Sequence, residues 1–454
     1  MSYALAIERL AALGQELYTP PGQPRRKFEL ADMRALMTAL GEPQTRYRSI
    51  LVAGTNGKGS TSSTLASILV QSGYRTGLYT SPHLSRVNER VQVDGFTIPD
   101  EDFAASFFRV EKASERLVQQ GTLGGLPSFF ETVTAIAFDY FASRQVHTAV
   151  LEVGMGGRLD ATNIVEPLVS VITDISLDHM EWLGSTLREI TGEKAGILRP
   201  NGVMVTLPQH PEANDALGKA AVALNVRGVN AATYVPSRDQ TEHSSTHNRY
   251  PLVVMQELIE VDSPLAGAHQ QRNLALAIAT AAELRNNYSY NITPDSIARG
   301  IRHTVWPARL EQIPGNGQRA NVLLDVGHNP AGAWALRAAV SQIDDGKPMT
   351  VVFGCLNDKP VRELAQILFP LFGHVIVTPL DSPRSTPVEV LAAAGAETGA
   401  DVRTAQNPEE ALKLAFELTP SEGLIVVTGS LFLVGQLREK LASPPFAATE
   451  TIRA

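Results

Sequence analysis

Gly54-Thr-Asn-Gly-Lys-Gly-Ser60 stands between a short apolar segment, 49–53, and a stretch with helical spacing of apolar residues, 61–72. Glycines at such a strand-to-helix turn let backbone N–H groups close around phosphate oxygens, and the start of the helix adds partial positive charge. Within the turn, Lys58 can reach the outer phosphates of a nucleotide, and the hydroxyl of Ser60 can hold Mg²⁺. The segment therefore predicts a phosphate-binding loop on an α/β fold.

The loop departs from the common Walker spacing, because the residue five positions before Gly57 is Val52 and not glycine. A short glycine-rich turn alone is weak evidence for a phosphate site. Here a lysine and a serine follow in the expected order, and the turn joins a predicted strand to a predicted helix. This combination favours phosphate binding over a purely structural turn.

Apolar strand-like segments and helical patterns alternate along the first part of the chain. Helical patterns cover 3–18 and 29–41 before the loop, and a further one covers 127–144. Strands that alternate with helices predict a mostly parallel sheet covered on both faces. The predicted strands are 49–53, 77–80, 148–153, 169–173 and 202–206. The polar stretch 228–250 is predicted to be an irregular, solvated insertion.

A second α/β series begins after a turn-rich stretch at 288–294, which follows a helical, alanine-rich segment at 270–286. We place the boundary near residue 300, which predicts domains 1–299 and 300–454. The second domain resembles a Rossmann-type layer but lacks a glycine-rich dinucleotide turn, so NAD binding is not predicted. Its predicted strands are 321–326, 349–354, 374–379 and 423–428, and its predicted helices are 331–343, 360–370, 387–396 and 408–418.

Composition narrows the class of protein. The chain has 454 residues, 44% hydrophobic and 19% charged, with a net charge of −8, which allows a large core and argues against a general nucleic-acid binder. Its one cysteine, Cys355, lies in an apolar run and is predicted to be buried, which fits a reducing compartment. No stretch reaches the about 20 apolar residues of a membrane span, and residues 1–17 do not resemble a signal peptide. We expect a soluble cytoplasmic protein.

Three polar residues downstream are candidates for the chemistry. Glu152 ends a predicted strand directly before a glycine-rich turn, where ligands bind in parallel sheets, although it could equally be a salt-bridge partner. His179 follows the next strand, and a lone histidine there is more often structural. Lys194 beside a metal would be repelled as an ammonium, and burial would lower its pKa. The plainer interpretation pairs it with Glu193 or with phosphate.

The sequence of the phosphate loop resembles that of the Mur ligase superfamily, and in particular that of its folate branch. Similar motifs follow in the family's order from about residue 20 to residue 435, including Thr80-Ser-Pro-His-Leu84, Leu159-Asp-Ala161, Trp306-Pro-Ala-Arg309 and Asp325-Val-Gly-His-Asn-Pro330. This order is more specific than any single motif. The resemblance implies a P-loop ATPase domain with a parallel-rich sheet, plus a smaller Rossmann-like domain. It also implies ATP-dependent ligation of L-glutamate to dihydropteroate and to reduced folates, through an acyl phosphate.

The resemblance carries over a set of site residues. Those implied to bind ATP are Gly54, Thr55, Asn56, Gly57, Lys58, Gly59, Ser60, Asn273, Arg309 and Asp325. Those implied to bind the acid or the amino acid are Pro82, His83, Glu131, Asp160, Ala161, His328 and Ser430. The implied ligands of Mg²⁺ are Ser60, Glu152, His179 and Lys194 as a carbamate, and K⁺ is a further ion that the resemblance allows. Catalytic roles fall to Lys58, Lys194 and His328.

Several of these residues have plainer interpretations. Asp160 could cap a turn, Asn273 could cap a helix, and Asp325 with His328 could serve only the turn that holds them. Phe129 and Phe130 are more typical of a core than of a site. Ala308 stands where the family usually has glycine, and we assign no role to the Asp358-Lys359 pair.

Two other functions compete with the folate ligase. Cell-wall members of the superfamily usually carry a separate N-terminal domain, whereas this phosphate loop already begins at residue 54. A nucleotide-dependent switch without ligase activity would not need the complete set of Lys58, Ser60, Glu152, His179 and Lys194. We expect a monomer whose partners are small molecules only, with no nucleic acid and no membrane.

Overall fold

The computed structural model describes residues 2–13, 29–237, 242–243, 246–315, 317–343 and 346–442. They fall into two compact units. The first comprises residues 1–236, 251–261 and 272–304, and the second comprises residues 237–250, 262–271 and 305–454, within the described ranges.

The first unit is built on an eight-stranded sheet of order β4-β3-β2-β5-β1-β6-β7-β8. Strands from β2 to β8 in this order pair in parallel, and β3 and β4 extend the β2 edge in antiparallel fashion. The parallel-rich sheet confirms the sequence prediction. The strands are β1 (Arg48–Ala53), β2 (Thr76–Tyr79), β3 (Val91–Val93), β4 (Phe96–Thr97), β5 (Thr148–Glu152), β6 (Val169–Ile172), β7 (Val203–Thr206) and β8 (Arg227–Asn230).

Helices bury both faces of this sheet. Ile50, Leu51, Val52 and Ala53 of β1 are all fully buried, as expected for a central strand without a polar face. Helix α3 packs on β1, β2 and β5, and α10 packs against α3. The helices of this unit are α1 (Tyr3–Ala12), α2 (Leu30–Ala39), α3 (Lys58–Gln71), α4 (Asp100–Gln119), α5 (Phe129–Ser143), α6 (Met180–Leu183), α7 (Leu187–Ala195), α8 (Pro211–Ala223), α9 (Ala268–Tyr288, from Arg272) and α10 (Pro294–Arg302).

A six-stranded sheet of order β12-β13-β17-β14-β15-β16 forms the second unit. Its strands pair in parallel except β12, which is antiparallel to β13 at one edge. The strands are β12 (Glu311–Ile313), β13 (Asn321–Leu324), β14 (Met349–Phe353), β15 (His374–Val377), β16 (Val402–Thr404) and β17 (Leu424–Thr428). The helices are α11 (Pro330–Ile343), α12 (Val361–Leu368), α13 (Val388–Ala396), α14 (Pro408–Leu418) and α15 (Leu431–Leu441).

The prediction that 228–250 is an irregular insertion is wrong. Strand β8 covers its beginning, and a separate three-stranded sheet of order β11-β10-β9 takes up its end. These strands are β9 (Glu242–His243), β10 (Asn248–Val254) and β11 (Glu257–Ser263). Strand β10 alternates buried and exposed residues, but its buried Asn248 and exposed Val253 do not follow the alternation of apolar and polar residues that indicates a strand. Residues 238–241 and 244–245 lie outside the described residues.

Two further sequence predictions are refined. The helix predicted over 3–18 ends at Ala12, where Leu13 caps it, and residues 14–18 lie outside the described residues. Cys355 is fully buried as predicted, and burial raises the pKa of its thiol to about 11. In the described part of the chain, no helix has both the length and the apolar character needed to cross a membrane.

The contact between α10 and α3 gives a stability prediction. A Cβ at Gly300 would lie 2.4 Å from Ile68 Cα, so Gly300→Ala must push the two helices apart. We expect a loss of about 1–3 kcal/mol in the free energy of unfolding. Gly218→Ala in α8 is the control, since its Cβ would meet nothing within 4 Å and should stabilise the helix by roughly 0.5–1 kcal/mol. Urea unfolding of both variants measures the difference, and equal stabilities would contradict the packing.

Candidate active site

The phosphate loop leaves β1 and enters α3 through two crowded glycines. Gly57 has φ +87° and precedes the first residue of α3, and a Cβ there would lie 2.1 Å from Asn273 Oδ1. Gly54 has φ +155°, and a Cβ there would lie 1.8 Å from Thr173 Oγ1. Both positions therefore require glycine for its conformation and for its lack of a side chain. The first turn of any α-helix has backbone N–H groups without an intrahelical acceptor, and an anion site uses such groups.

Two lysines meet at the carbonyl oxygen of Gly54. Lys194 Nζ donates to it at 2.7 Å, and Lys58 Nζ donates to it at 3.2 Å and to the carbonyl of Thr55 at 3.2 Å. Lys194 is buried, and burial, reinforced by the charge of Lys58, lowers its pKa to about 7. The alternative that Lys194 pairs with Glu193 is wrong, because Glu193 pairs with Arg158 at 2.8 Å.

Glu152 lies beside the loop because β1 and β5 are neighbours. Val52 and Glu152 are partners in the parallel register, so the acid ends its strand where the loop begins. Its carboxylate is buried and accepts the N–H of Ser81 at 3.3 Å. The Ser81–Pro82 peptide bond is cis. Ser81 was not singled out by the sequence analysis, and the signal for it was its place in the Thr80-Ser-Pro-His-Leu84 motif.

The end of β6 holds the other side of the loop. The Asp174 carbonyl accepts the N–H of Thr55 at 2.8 Å, and Thr55 Oγ1 donates to the Ser176 carbonyl at 3.0 Å. The Asp174 carboxylate accepts hydrogen bonds from Nε and Nη2 of Arg272, and the shortest of these contacts is 2.5 Å. Sequence reasoning gave neither Asp174 nor Arg272 a role, because their partnership joins residues 98 positions apart.

His179 stands between β6 and α6 in the left-handed conformation, with φ +50°. The backbone N–H of His179 donates to Asp178 Oδ1 at 2.9 Å, and the ring nitrogen Nε2 lies 3.9 Å from Asp178 Oδ2. The imidazole is part-exposed. The structure therefore places His179 on the loop after β6. Strand β6 is a neighbour of β1, which leads into the phosphate loop, so His179 is in a position to bind a metal ion or a phosphate.

Asp160 is buried in a turn that also involves Phe130. Its carboxylate accepts the N–H groups of Met155 at 3.1 Å and Thr162 at 3.0 Å, so the capping alternative is confirmed. Burial nevertheless raises the pKa of Asp160. A Cβ at Gly154 would lie 2.5 Å from Phe130 Cζ and 3.3 Å from Asp160 Oδ2, which places the ring and the acid around one glycine.

Glu131 and the two phenylalanines lie at the start of α5. Glu131 forms a capping box with Ser128, accepting its N–H at 2.7 Å, so this buried acid has a structural role in the helix. Phe129 and Phe130 are only half-buried against the core. The prediction that both are core residues is therefore only partly right, since both side chains are partly exposed.

Helix α9 already begins at Ala268, so Asn273 lies within the helix and the alternative that it caps the helix is wrong. Its side chain faces Gly57, as described above, and its carbonyl accepts Thr61 Oγ1 at 3.5 Å. The first unit thus brings together the phosphate loop, Glu152, Lys194 and Asn273 at the carboxyl ends of β1, β5 and β6.

The second unit has its own cluster at the carboxyl end of β13. The Asp325 carboxylate is buried and accepts the N–H groups of Gly327 at 2.8 Å and Leu310 at 3.1 Å. Ala308 has φ +58°, so it adopts the left-handed conformation that suits the glycine usual in the family. The guanidinium of Arg309 lies 5.8 Å from the centre of the Trp306 ring. The Asp325 carboxylate therefore stabilises its own turn. This structural role is compatible with a role in ligand binding.

The turns after β13 and β17 are joined by hydrogen bonds. The Gly327 carbonyl accepts the N–H of Gly429 at 3.2 Å and Thr428 Oγ1 at 3.3 Å. His328 Nδ1 lies 2.9 Å from the Val326 carbonyl, and the buried Ser430 accepts the N–H of Phe432 at 3.2 Å as it starts α15. The structure therefore places the turns that carry Asp325, His328 and Ser430 next to one another.

Among the residues that the structure describes, no three His, Cys, Asp or Glu side chains are grouped as a metal site. The ligand set implied by the resemblance contains only Glu152 and His179 of these types. A hydroxyl and a modified lysine would have to complete it.

Models of protein families match both units. The Mur ligase middle domain matches residues 52–281, and the Mur ligase glutamate ligase domain matches residues 308–431.

Two curated relatives are similar over nearly their full lengths. A folylpolyglutamate synthase of Lacticaseibacillus casei is 36% identical over 92% of this chain and 96% of its own. A dihydrofolate synthase/folylpolyglutamate synthase of Bacillus subtilis is 33% identical over 91% of this chain and 94% of its own. Among solved structures, Mycobacterium tuberculosis folylpolyglutamate synthase complexed with ADP and AMPPCP has a TM-score of 0.86 and 33% identity, covering 98% of this chain and 99% of its own. Escherichia coli FolC in complex with DHPP and ADP has a TM-score of 0.80 and 27% identity, covering 97% and 98%.

The crowding of Gly57 can be tested against Gly73 at the other end of α3. The two have nearly equal φ, +87° and +85°, but a Cβ at Gly73 would meet nothing within 4 Å. Both alanine variants should lose about 1–2 kcal/mol of stability through backbone strain. Only Gly57→Ala should also displace Asn273 and weaken ADP binding, by about tenfold or more, in calorimetric titration. Equal ADP affinities in the two variants would rule out this role for the crowded glycine.

Proposed function

The chain belongs to the Mur ligase family, among its folylpolyglutamate and dihydrofolate synthases, and we propose that it joins L-glutamate both to dihydropteroate and to the γ-carboxylate of reduced folates. It is an ATP-dependent ligase by this membership. The observation that carries the proposal is the meeting of Lys58 and Lys194 at the Gly54 carbonyl, beside the buried Glu152. That arrangement suits phosphoryl transfer from a nucleotide to a carboxylate.

ATP is held by the phosphate loop in this proposal. The loop residues 54–60 supply backbone N–H groups, α3 supplies the partial positive charge of its first turn, and Lys58 neutralises charge on the outer phosphates. Asn273 stands against Gly57 and is assigned to the nucleotide from the same side. Arg309 and Asp325, on the second unit, are assigned to ATP by their motifs.

The residues around the loop fit Mg²⁺. Ser60 and Glu152 offer buried hard oxygens, His179 offers an imidazole, and Lys194 would offer oxygen once it is a carbamate. The Ser81 hydroxyl is a further candidate, because its backbone already contacts Glu152. When bound, Mg²⁺ would neutralise charge on the phosphate oxygens. No residue is assigned to K⁺.

Lys194 has the properties of a carbamylated lysine. The neutral amine adds to CO₂ and releases a proton, which turns a repelled cation into an anion. Its lowered pKa of about 7 makes the neutral amine available near physiological pH. As a cation it would stand against Lys58, which itself lowers that pKa, and as a carbamate it would complement Lys58.

The acid substrate is assigned to the pocket around Asp160. A carboxylate there can accept two N–H bonds from the amino-pyrimidine edge of a pterin. Phe130 supports this assignment because its half-buried ring lies against the same glycine as Asp160. The remaining residues assigned to the acid substrate are Pro82, His83, Glu131 and Ala161.

Glutamate is assigned to the second unit. The joined turns of His328 and Ser430 present an imidazole and a hydroxyl at neighbouring strand ends, which can hold a carboxylate or an amine. We propose that the units act as domains with separate tasks: the first takes the nucleotide and the acid, and the second takes the amino acid.

The chemistry is then two transfers. A carboxylate oxygen of the acid attacks the γ-phosphorus of ATP, ADP leaves, and an acyl phosphate forms. The amine of glutamate attacks the acyl carbon, loses a proton, and expels inorganic phosphate with the amide product. Lys58 stabilises the charge on the transferring group, and exclusion of water protects the acyl phosphate.

A single-activity folylpolyglutamate synthase is the second candidate. The Lacticaseibacillus casei relative carries only that name, whereas the Bacillus subtilis relative carries both. A Mur-type ligase for another acid and amine is the more distant alternative.

Phosphate release decides between these functions. With Mg·ATP and L-glutamate, we expect release with dihydropteroate and with tetrahydrofolate, and none when glutamate is omitted. Carboxyl-¹⁸O-labelled acid should deliver one ¹⁸O to the phosphate, because the acyl oxygen leaves with phosphorus. Turnover with tetrahydrofolate alone would support the single activity, and none with either acid, from protein that binds ADP, would overturn the folate assignment.

The carbamate is tested with ¹³C-bicarbonate. We expect a carbamate carbon signal in the wild type that disappears in Lys194→Ala, with a fall of about 100-fold in turnover because an anion is lost from the transfer site. Lys219→Ala is the control, since Lys219 is an exposed lysine on α8. A signal that survives in Lys194→Ala would contradict the assignment.

A further inference from the structure

Buried Arg90, which has no role in the proposed reaction, is hydrogen-bonded to His83, which is assigned to the acid substrate. Arg90 Nε donates to His83 Nδ1 at 2.9 Å, and Arg90 is only 3% exposed. The guanidinium lies 5.2 Å from the centre of the Phe129 ring, and the Arg90 carbonyl accepts the N–H of Thr80 at 3.0 Å. Arg90 is therefore fixed at its backbone and at its side chain.

This contact determines where the proton of His83 lies. A guanidinium has donors only and stays protonated, so Nδ1 must accept with its lone pair. The imidazole proton is then on Nε2. A doubly protonated ring would set N–H against N–H beside the positive charge of Arg90, so the hydrogen bond requires the neutral ring. His83 is thus a neutral side chain whose Nε2 can only donate.

His83 lies on the loop that borders the proposed acid pocket. Two residues earlier, the Ser81 N–H contacts Glu152, and Phe129 precedes the Phe130 ring that lies beside Asp160. In the described part of the chain, the hydrogen bond from Arg90 is the only one made to the His83 ring. Its Nε2–H is therefore left for a ligand.

We propose that Arg90 is a positioning residue, which holds His83 as an Nε2–H donor to an acceptor atom, a carbonyl oxygen or a ring nitrogen, of the pterin ring. The inference rests on the proposed acid substrate. Pterins carry donors on the amino-pyrimidine edge and acceptors elsewhere. Asp160 suits the donors, and a histidine fixed as a donor suits an acceptor. Without Arg90 the imidazole would exchange between tautomers, and part of its population would present a lone pair to an acceptor.

The tautomer is measured first, on substrate-free protein labelled with ¹⁵N-histidine, with His83→Gln assigning the signal. Two-bond ¹H–¹⁵N spectra should show His83 protonated at Nε2 and not at Nδ1. Arg90→Met should give a mixture of tautomers, and Arg90→Lys, which keeps a donor, should restore the single form. Arg109→Met is the control, because Arg109 pairs with Asp139 on the surface. A wild-type His83 protonated at Nδ1 would overturn the inference.

Kinetics give the second measurement. Arg90→Met should raise KM for dihydropteroate or tetrahydrofolate about tenfold, the worth of one hydrogen bond, while KM for ATP and glutamate and kcat stay within about twofold. An unchanged KM for the acid in Arg90→Met would overturn the inference. If Arg90→Met does not fold, Arg90→Lys takes its place: the inference requires that Arg90→Lys give the same single tautomer as the wild type, and a mixture of tautomers would overturn it. Absence of turnover in the wild type would instead count against the proposed function, because the tautomer is measured without substrate.

Discussion

The carbonyl oxygen of Gly54 accepts hydrogen bonds from two lysines, at 2.7 Å from Lys194 and 3.2 Å from Lys58. Burial and the charge of Lys58 both disfavour a second ammonium here, and the cost appears as a lowered pKa of Lys194. The strand end that presents this carbonyl is in turn held by its closeness to Thr173, which leaves no room for a side chain at Gly54. The geometry of the loop and the charge state of Lys194 both depend on this one constraint.

Three acids that we propose to bind ligands also have structural roles. Asp160 caps a turn, Glu131 caps a helix, and Asp325 binds two backbone N–H groups of its own turn. Such contacts fix the rotamer of each acid before any ligand arrives, which lowers the entropic cost of binding. A cap and a ligand contact are therefore compatible, since a carboxylate has more acceptor positions than these bonds use.

Much of the fold follows from periodicity. Runs of β-branched and aliphatic residues predict the parallel strands of both units. A central strand is buried on both faces, so nearly all of its residues are apolar. The sequence does not reveal the hairpin of β10 and β11, because a buried Asn248 and an exposed Val253 break the alternation of apolar and polar residues along β10. Helix α1 was predicted too long, since apolar spacing alone does not give the residue at which a helix ends.

The sequence by itself indicated the phosphate loop, the family, and the candidate residues Glu152, His179 and Lys194, because these belong to local motifs in a fixed order. Only the tertiary structure decided the partners. That Lys194 binds the Gly54 carbonyl and not Glu193, that Asp174 pairs with Arg272, and that Arg90 fixes His83 are contacts between segments that no local pattern relates. The physical reason is that charge state and tautomer depend on burial and on the nearest donor, which exist only once distant strands and loops have packed.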